Sequence, residues 1–219
     1  MRDKRFERIE DALRDVANGA TILVSGFGDA GVPSALLAAL LAQGAKDLTL
    51  VSNAAGTGHL GLAALLEARR VRRLVCAYPR RRGSVVFEKL YAAGEIEVEL
   101  VPMGTLCERI RAGAAGIAGF YTPTSAGTRL AEGKETREFD GRLHVLERPI
   151  KGDFAFIRAK RGDQLGNLVY NATARNYGPV MAGAARLTIA EVEAFEQVGG
   201  LHPENVVTPG VFVQRVVLA

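Results

Sequence analysis

Residues 21–33 read Thr-Ile-Leu-Val-Ser-Gly-Phe-Gly-Asp-Ala-Gly-Val-Pro. A short apolar run enters the pattern G-x-G-x-x-G at Gly26–Gly31, and Pro33 then opens the apolar stretch Ser34–Leu41. Proline suits the first turn of a helix, because its missing N–H has no partner there anyway. The segment therefore predicts a buried strand, a tight loop and a helix. A strand that leads at once into a helix fits the crossover that joins parallel strands.

The same alternation continues along the chain. Phe6, Ile9, Leu13 and Val16 share one face of a helix expected over 6–17, and Asn18-Gly19 stops it. Strands are expected at Leu48–Ser52, Arg73–Tyr78 and Ile96–Val101, with helices at Leu60–Ala68, Val85–Ala93 and Leu106–Ala112. Beyond about residue 117, short strand candidates cluster: Thr136–Phe139, Leu143–Leu146, Phe154–Ile157, Leu168–Tyr170, Leu187–Val192 and Val211–Val216. Phe120–Lys134 reads as a long loop. No linker divides the chain. The expected fold is α/β: one domain over residues 1–219, a mostly parallel sheet flanked by helices, and a mixed extension in the C-terminal half.

Composition narrows the function classes. Apolar residues form 48% of the chain and charged residues 24%, as in ordinary globular proteins. The apolar runs are too short and interrupted to span a membrane, and the mixed-charge N-terminus lacks the apolar core of a secretory signal, so a cytoplasmic location is expected. Cys76 and Cys107 lie far apart and read as reduced thiols in apolar segments. His59, His144 and His202 have no metal-ligand spacing, so no metal is expected. The net charge of +4 owes much to the seven arginines between Arg69 and Arg82. No aromatic platform accompanies them, so a solvated surface is expected ahead of a ligand contact or a nucleic-acid face.

The glycine loop admits three readings. It is a literal dinucleotide motif in the right context, with free N–H groups at a helix start to hold an anion. That reading, an NAD(P)-dependent oxidoreductase, wants an acid at the end of the second strand, yet that strand ends Ser52-Asn53. A bare tight turn is the second reading.

The third reading is a resemblance. Residues 18–33 look like the signature of family I CoA-transferases, where a hydrophobic strand enters G-G-F-G-x-x-G-x-P. Further blocks follow in the family's order. Leu50–Gly56 is similar to V-S-N-N-A-G, and Glu99–Arg111 to E-L-x-P-Q-G-x-L-A-E-R-I-R. Phe120–Thr124, Leu130–Glu135, Gly166–Tyr170, Thr173–Tyr177 and Pro203–Gly210 match others. The likeness is to A (alpha) subunits, with 3-oxoadipate as the nearest acceptor type.

The resemblance implies transfer of CoA from succinyl-CoA to a 3-oxo acid, 3-oxoadipate or, as the alternative, acetoacetate. Coenzyme A enters as a thioester substrate, and no permanently bound cofactor is implied. The family's nucleophile is a glutamate in an S-E-N-G motif of the B (beta) subunit, and that motif is absent from this chain. The chain is expected to supply no catalytic nucleophile and to work in a complex of two A and two B subunits. Its expected contribution to CoA or substrate binding is Ser25, Gly26, Phe27, Gly28, Asp29, Ala30, Gly31, Asn53, Met103, Gly104, Phe120 and Thr122. The Arg80–Arg82 run is a weaker candidate for the phosphates of CoA. Three positions depart from the family pattern: Ser25 for a glycine, Ala54 for an asparagine, and Met103 for a glutamine whose amide helps hold an oxyanion. Methionine cannot donate a hydrogen bond, which keeps a non-catalytic scaffold homologue open as a further alternative.

Overall fold

A computed structural model describes residues 3–219. Its main sheet carries β1 (Arg5–Phe6), β2 (Thr21–Val24), β3 (Leu48–Ser52), β4 (Val71–Cys76) and β5 (Glu97–Leu100) from the first half of the chain. The second half adds β9 (Gly152–Asp163), β10 (Leu168–Val169), β11 (Ala185–Glu196) and β12 (Arg215–Leu218). Between the two halves, β6 (Phe120–Thr122), β7 (Thr136–Phe139) and β8 (Arg142–Glu147) form a separate antiparallel sheet in the order β6-β8-β7. The helices are α1 (Ile9–Leu13), α2 (Ser34–Gln43), α3 (Leu62–Glu67), α4 (Val85–Ala92), α5 (Met103–Ala115) and α6 (Gly178–Gly183).

The main sheet runs β1-β12-β11-β9-β2-β3-β4-β5, and every pair along that path is parallel. Only β10 joins β9 antiparallel. The chain lays β3, β4 and β5 to one side of β2, then returns to place β9, β11 and β12 on the other. Strand order thus reverses at β2/β9, and in open α/β sheets ligands lodge outside the carboxyl ends of the strands at such a reversal. The loop leaving β2 at that point is the glycine loop.

Alternation along each strand divides the core into two layers. Ile22, Val24, Leu50, Leu74, Phe154 and Phe156 pack with Leu13, Leu36, Leu37, Leu40, Leu65, Phe87 and Leu90 of α1–α4 on one face. Leu23, Val51, Val75, Ala155, Ile157 and Val192 pack with Leu106 and Ile110 of α5 and Met181 of α6 on the other. Burial on both faces is why these strands read as continuous apolar runs.

Several boundaries differ from expectation. The single helix expected over 6–17 is a strand, β1, followed by the short α1, with Phe6 pairing beside Val217. The expected strand Val211–Val216 is a 3-10 turn at Gly210–Phe212 and then β12. Strands β9 and β11 run twelve residues each, far past their apolar segments. Their polar ends are joined across the sheet by Arg158–Glu193 and Arg161–Glu196, both at 3.1 Å. The arginine-rich stretch is mostly paired rather than free. Arg69 meets Glu95, Arg73 meets Glu97 and Glu99, Arg80 meets Glu88, and Arg81 meets Asp29. Cys76 is buried, which pushes its thiol up to about 12, and Cys107 is half-buried. No helix among the described residues is long and apolar enough to cross a membrane.

Candidate active site

The glycine loop is built by close contacts that only these residues permit. Ser25 continues the sheet by donating its N–H to the Phe156 carbonyl at 3.0 Å. Its hydroxyl then donates to the Gly31 carbonyl at 2.7 Å and accepts the Arg158 N–H at 3.2 Å. The serine that departs from the family pattern therefore staples the two ends of the loop together. Phe27 and Ala30 exchange N–H···O bonds of 3.0 and 3.2 Å, closing a tight turn with Gly28 at φ 63°. Gly31 sits at φ 71°, and a Cβ there would overlap the Ala174 carbonyl oxygen. Glycine is required at that position on both counts.

The turn at 171–177 is what Gly31 packs against, and its side chains hold the loop. Asn176 accepts the Gly26 N–H at 3.0 Å through Oδ1 and donates to the Ala30 carbonyl at 3.0 Å through Nδ2. The neighbouring Tyr177 donates its hydroxyl to Asn53 Oδ1 at 3.3 Å, just beyond the end of β3. Burial pushes the Tyr177 phenol up to about 12, so it stays protonated and remains a donor.

Around the loop lies a cleft of about 310 Å³. Ser25, Gly26, Gly28 and Asp29 form one wall. Ser52, Asn53 and Ala54 form the floor at the end of β3, and Gly56, Thr57, Leu60, Gly61 and Leu62 with Arg81 complete the rim. Among the described residues, the N–H groups of Gly28 and Asp29 and the Nδ2 of Asn53 donate no hydrogen bond. The one carboxylate in the lining, Asp29, projects into solvent and meets Arg81 at 3.2 Å.

The start of α2, directly after the loop, is already occupied. Glu191 of β11 is 1% exposed, and its Oε2 accepts the Ala35 and Leu36 N–H groups at 2.9 and 3.0 Å. Burial raises its carboxyl pKa, and the helix N–H groups and Arg158 offset only part of that. A dinucleotide reading requires these N–H groups for a pyrophosphate. Here the protein's own carboxylate fills the position.

The structure gathers Ser25, Gly26, Gly28, Asp29 and Asn53 in the cleft, with Phe27, Ala30 and Gly31 completing the same loop. Phe27 is half exposed at the loop tip. Met103, Gly104, Phe120 and Thr122 are absent from the lining. Met103 and Gly104 open α5 after the edge strand β5, and Met103 is half exposed. Phe120 and Thr122 stand on β6 opposite Glu147 and Val145. An ionic network joins α5 to β8, the strand that pairs with β6. Glu99 accepts from Arg73 and Arg109, each at 2.6 Å, while Arg109 approaches buried Glu147 at 3.6 Å and Lys134 meets Glu147 at 2.6 Å. Burial works to raise the Glu99 pKa, but the two guanidiniums outweigh it and the net shift is downward. Lys134 is thus engaged by Glu147, and Glu135 accepts from the Tyr121 hydroxyl.

Sequence reasoning missed Thr57, Leu60, Asn176, Tyr177 and Glu191 as parts or supports of the site. Asn176 and Tyr177 lay inside a recognised block, but nothing local showed which loop they reach.

The sequence profile of the coenzyme A transferase family matches residues 6–219. The chain belongs to that family. It is 55% identical over 217 residues to the A subunit of 3-oxoadipate CoA-transferase from Pseudomonas putida, covering 99% of this chain and 94% of the relative. It is 47% identical over 216 residues to the A subunit of succinyl-CoA:3-ketoacid coenzyme A transferase from Xanthomonas campestris, covering 98% and 88%. Among solved structures, glutaconate coenzyme A-transferase from Acidaminococcus fermentans shares the fold with a TM-score of 0.88 at 22% identity, covering 99% of this chain and 75% of that one. A variant of the decarboxylase AibA/AibB has a TM-score of 0.84 at 27% identity, covering 99% and 84%. One fold therefore carries more than one reaction, and the reaction must be argued from the site.

Proposed function

We propose that this CoA-transferase chain is the A-type half of an enzyme that moves CoA from succinyl-CoA to a 3-oxo acid, with 3-oxoadipate as the acceptor, in the cytoplasmic breakdown of aromatic compounds. The observation that carries the proposal is the cleft at the strand-order reversal. It offers unpaired donors at Gly28, Asp29 and Asn53, while its lone carboxylate is exposed and held by Arg81. Such a surface fits the wall that binds a reacting carbonyl rather than the group that attacks it. The attacking glutamate comes from the S-E-N-G motif of a B-type partner docked across the open side.

The chemistry then balances as follows. The partner glutamate attacks the succinyl thioester carbonyl, and CoA thiolate leaves as a mixed anhydride forms. The thiolate attacks the glutamyl carbonyl, releasing succinate and leaving a glutamyl-CoA thioester. The 3-oxo acid repeats the sequence in reverse and departs as its CoA ester. Each attack builds negative charge on a carbonyl oxygen, which the donors of this chain stabilise. Docking of the partner over the cleft excludes water that would hydrolyse the anhydride.

The acceptor is tested by assaying the reconstituted pair with succinyl-CoA and either 3-oxoadipate or acetoacetate. The proposal predicts the higher kcat/KM with 3-oxoadipate. The reverse order assigns acetoacetate. No turnover with either acid overturns the transferase reading and leaves a scaffold role.

A further inference from the structure

We infer that Asn176 and Tyr177 are a pair of positioning residues that set the two walls of the cleft relative to each other. The inference rests on the cleft being the transferase site. Strand order separates the walls, since the loop follows β2 and Asn53 follows β3. Two adjacent side chains from a third segment reach both. Asn176 holds the first amide and the last carbonyl of the turn, at Gly26 and Ala30. Tyr177 holds the side-chain oxygen of Asn53. With that oxygen engaged, the Asn53 amide presents its Nδ2 donors instead.

The pair is itself fixed. Asn176 Oδ1 also accepts the Tyr177 N–H at 2.7 Å, and Nδ2 also donates to the Thr173 and Ala174 carbonyls at 3.2 and 3.1 Å. All of the amide's acceptor and donor capacity is thus spent on this junction. Tyr177 is 5% exposed, packed among the apolar residues beside α5 and α6. A shift of either residue moves a donor of the cleft without touching substrate.

Two variants in the reconstituted pair test this. Tyr177→Phe keeps the packing and removes one hydroxyl, freeing the Asn53 amide to turn over. Asn176→Gly removes the clamp and tolerates the residue's φ of 20°. The first should lower kcat about 10-fold and the second about 100-fold, because misplacement of a positioned group by about 1 Å costs that order of rate. KM for succinyl-CoA should stay within about threefold, as expected when only transition-state contacts are lost. Amide exchange should accelerate at Gly26, Phe27 and Ala30, the bonded amides of the loop, in Asn176→Gly and stay slow in the buried strands.

Wild-type kinetics in both variants would overturn the inference. So would a loss of kcat matched by an equal fall in assembled, folded pair, with exchange accelerated throughout the sheet. An inactive wild-type pair, by contrast, would strike the reading of the site and not the role of these two residues.

Discussion

Glu191 gives the sharpest test of how the site is supported. Its carboxylate accepts the Ala35 and Leu36 N–H groups at 2.9 and 3.0 Å, and it is 1% exposed. Glu191→Ala orphans both donors at the buried start of α2. Each orphan costs about 1–3 kcal/mol, so the variant should lose about 4 kcal/mol. For a chain of this size that lowers Tm by about 8–16 °C. Glu191→Gln keeps an acceptor oxygen and removes a charge that burial disfavours, so it should stay within about 1 kcal/mol of wild type. Urea unfolding of the isolated chain measures both, with the midpoint falling and the slope unchanged. The two variants also separate with pH. Because the folded-state pKa of Glu191 lies above its ordinary 4.5, folding takes up a proton between the two values. Stability from this group is greatest below about 4.5 and declines as pH rises through the folded-state value. Glu191→Gln, which does not titrate, should gain on wild type over that window. Wild-type stability in Glu191→Ala, or a flat difference with pH in Glu191→Gln, refutes the argument that this carboxylate occupies the anion position of α2.

Other outcomes follow from the same contacts. Arg109→Ala leaves Glu147 with Lys134 alone and Glu99 with Arg73 alone, and should cost about 3 kcal/mol in urea unfolding. Since the Glu99 pKa is lowered on folding, the stability it supplies is present above the ordinary carboxylate range and lost as pH falls through its folded-state value; the gap between wild type and Arg109→Ala should narrow in acid. Because Met103 lies outside the cleft lining, Met103→Gln should leave the kcat of the pair unchanged in steady-state kinetics. A rise of about 100-fold would show that an amide donor at the start of α5 reaches the oxyanion.

What the sequence disclosed divides along physical lines. Strands β2 and β3 fall where their apolar runs fall, because both faces are buried and the signal is unmixed. The far halves of β9 and β11 were illegible, since Arg158, Lys160 and Arg161 on one and Glu193 and Glu196 on the other look like loop charges until pairing sets them side by side. Helix α5 begins three residues earlier than its apolar pattern, at Met103, and carries Gly113, where a Cβ would overlap the Ile150 carbonyl. The glycine loop was visible from its own residues. Its supports were not, because Asn176 and Glu191 act across 150 and 155 positions of sequence. The missing acid after β3 already weighed against the dinucleotide reading, and the helix start filled by Glu191 removes its pyrophosphate cradle.

The central claim is that this chain shapes a transferase site whose nucleophile lies on another polypeptide. Intact mass spectrometry of both chains, after the reconstituted pair is incubated with succinyl-CoA and no acceptor, tests it directly. The account predicts a covalent CoA adduct on the partner and none on this chain. An adduct on this chain, or turnover by this chain purified alone, would contradict it.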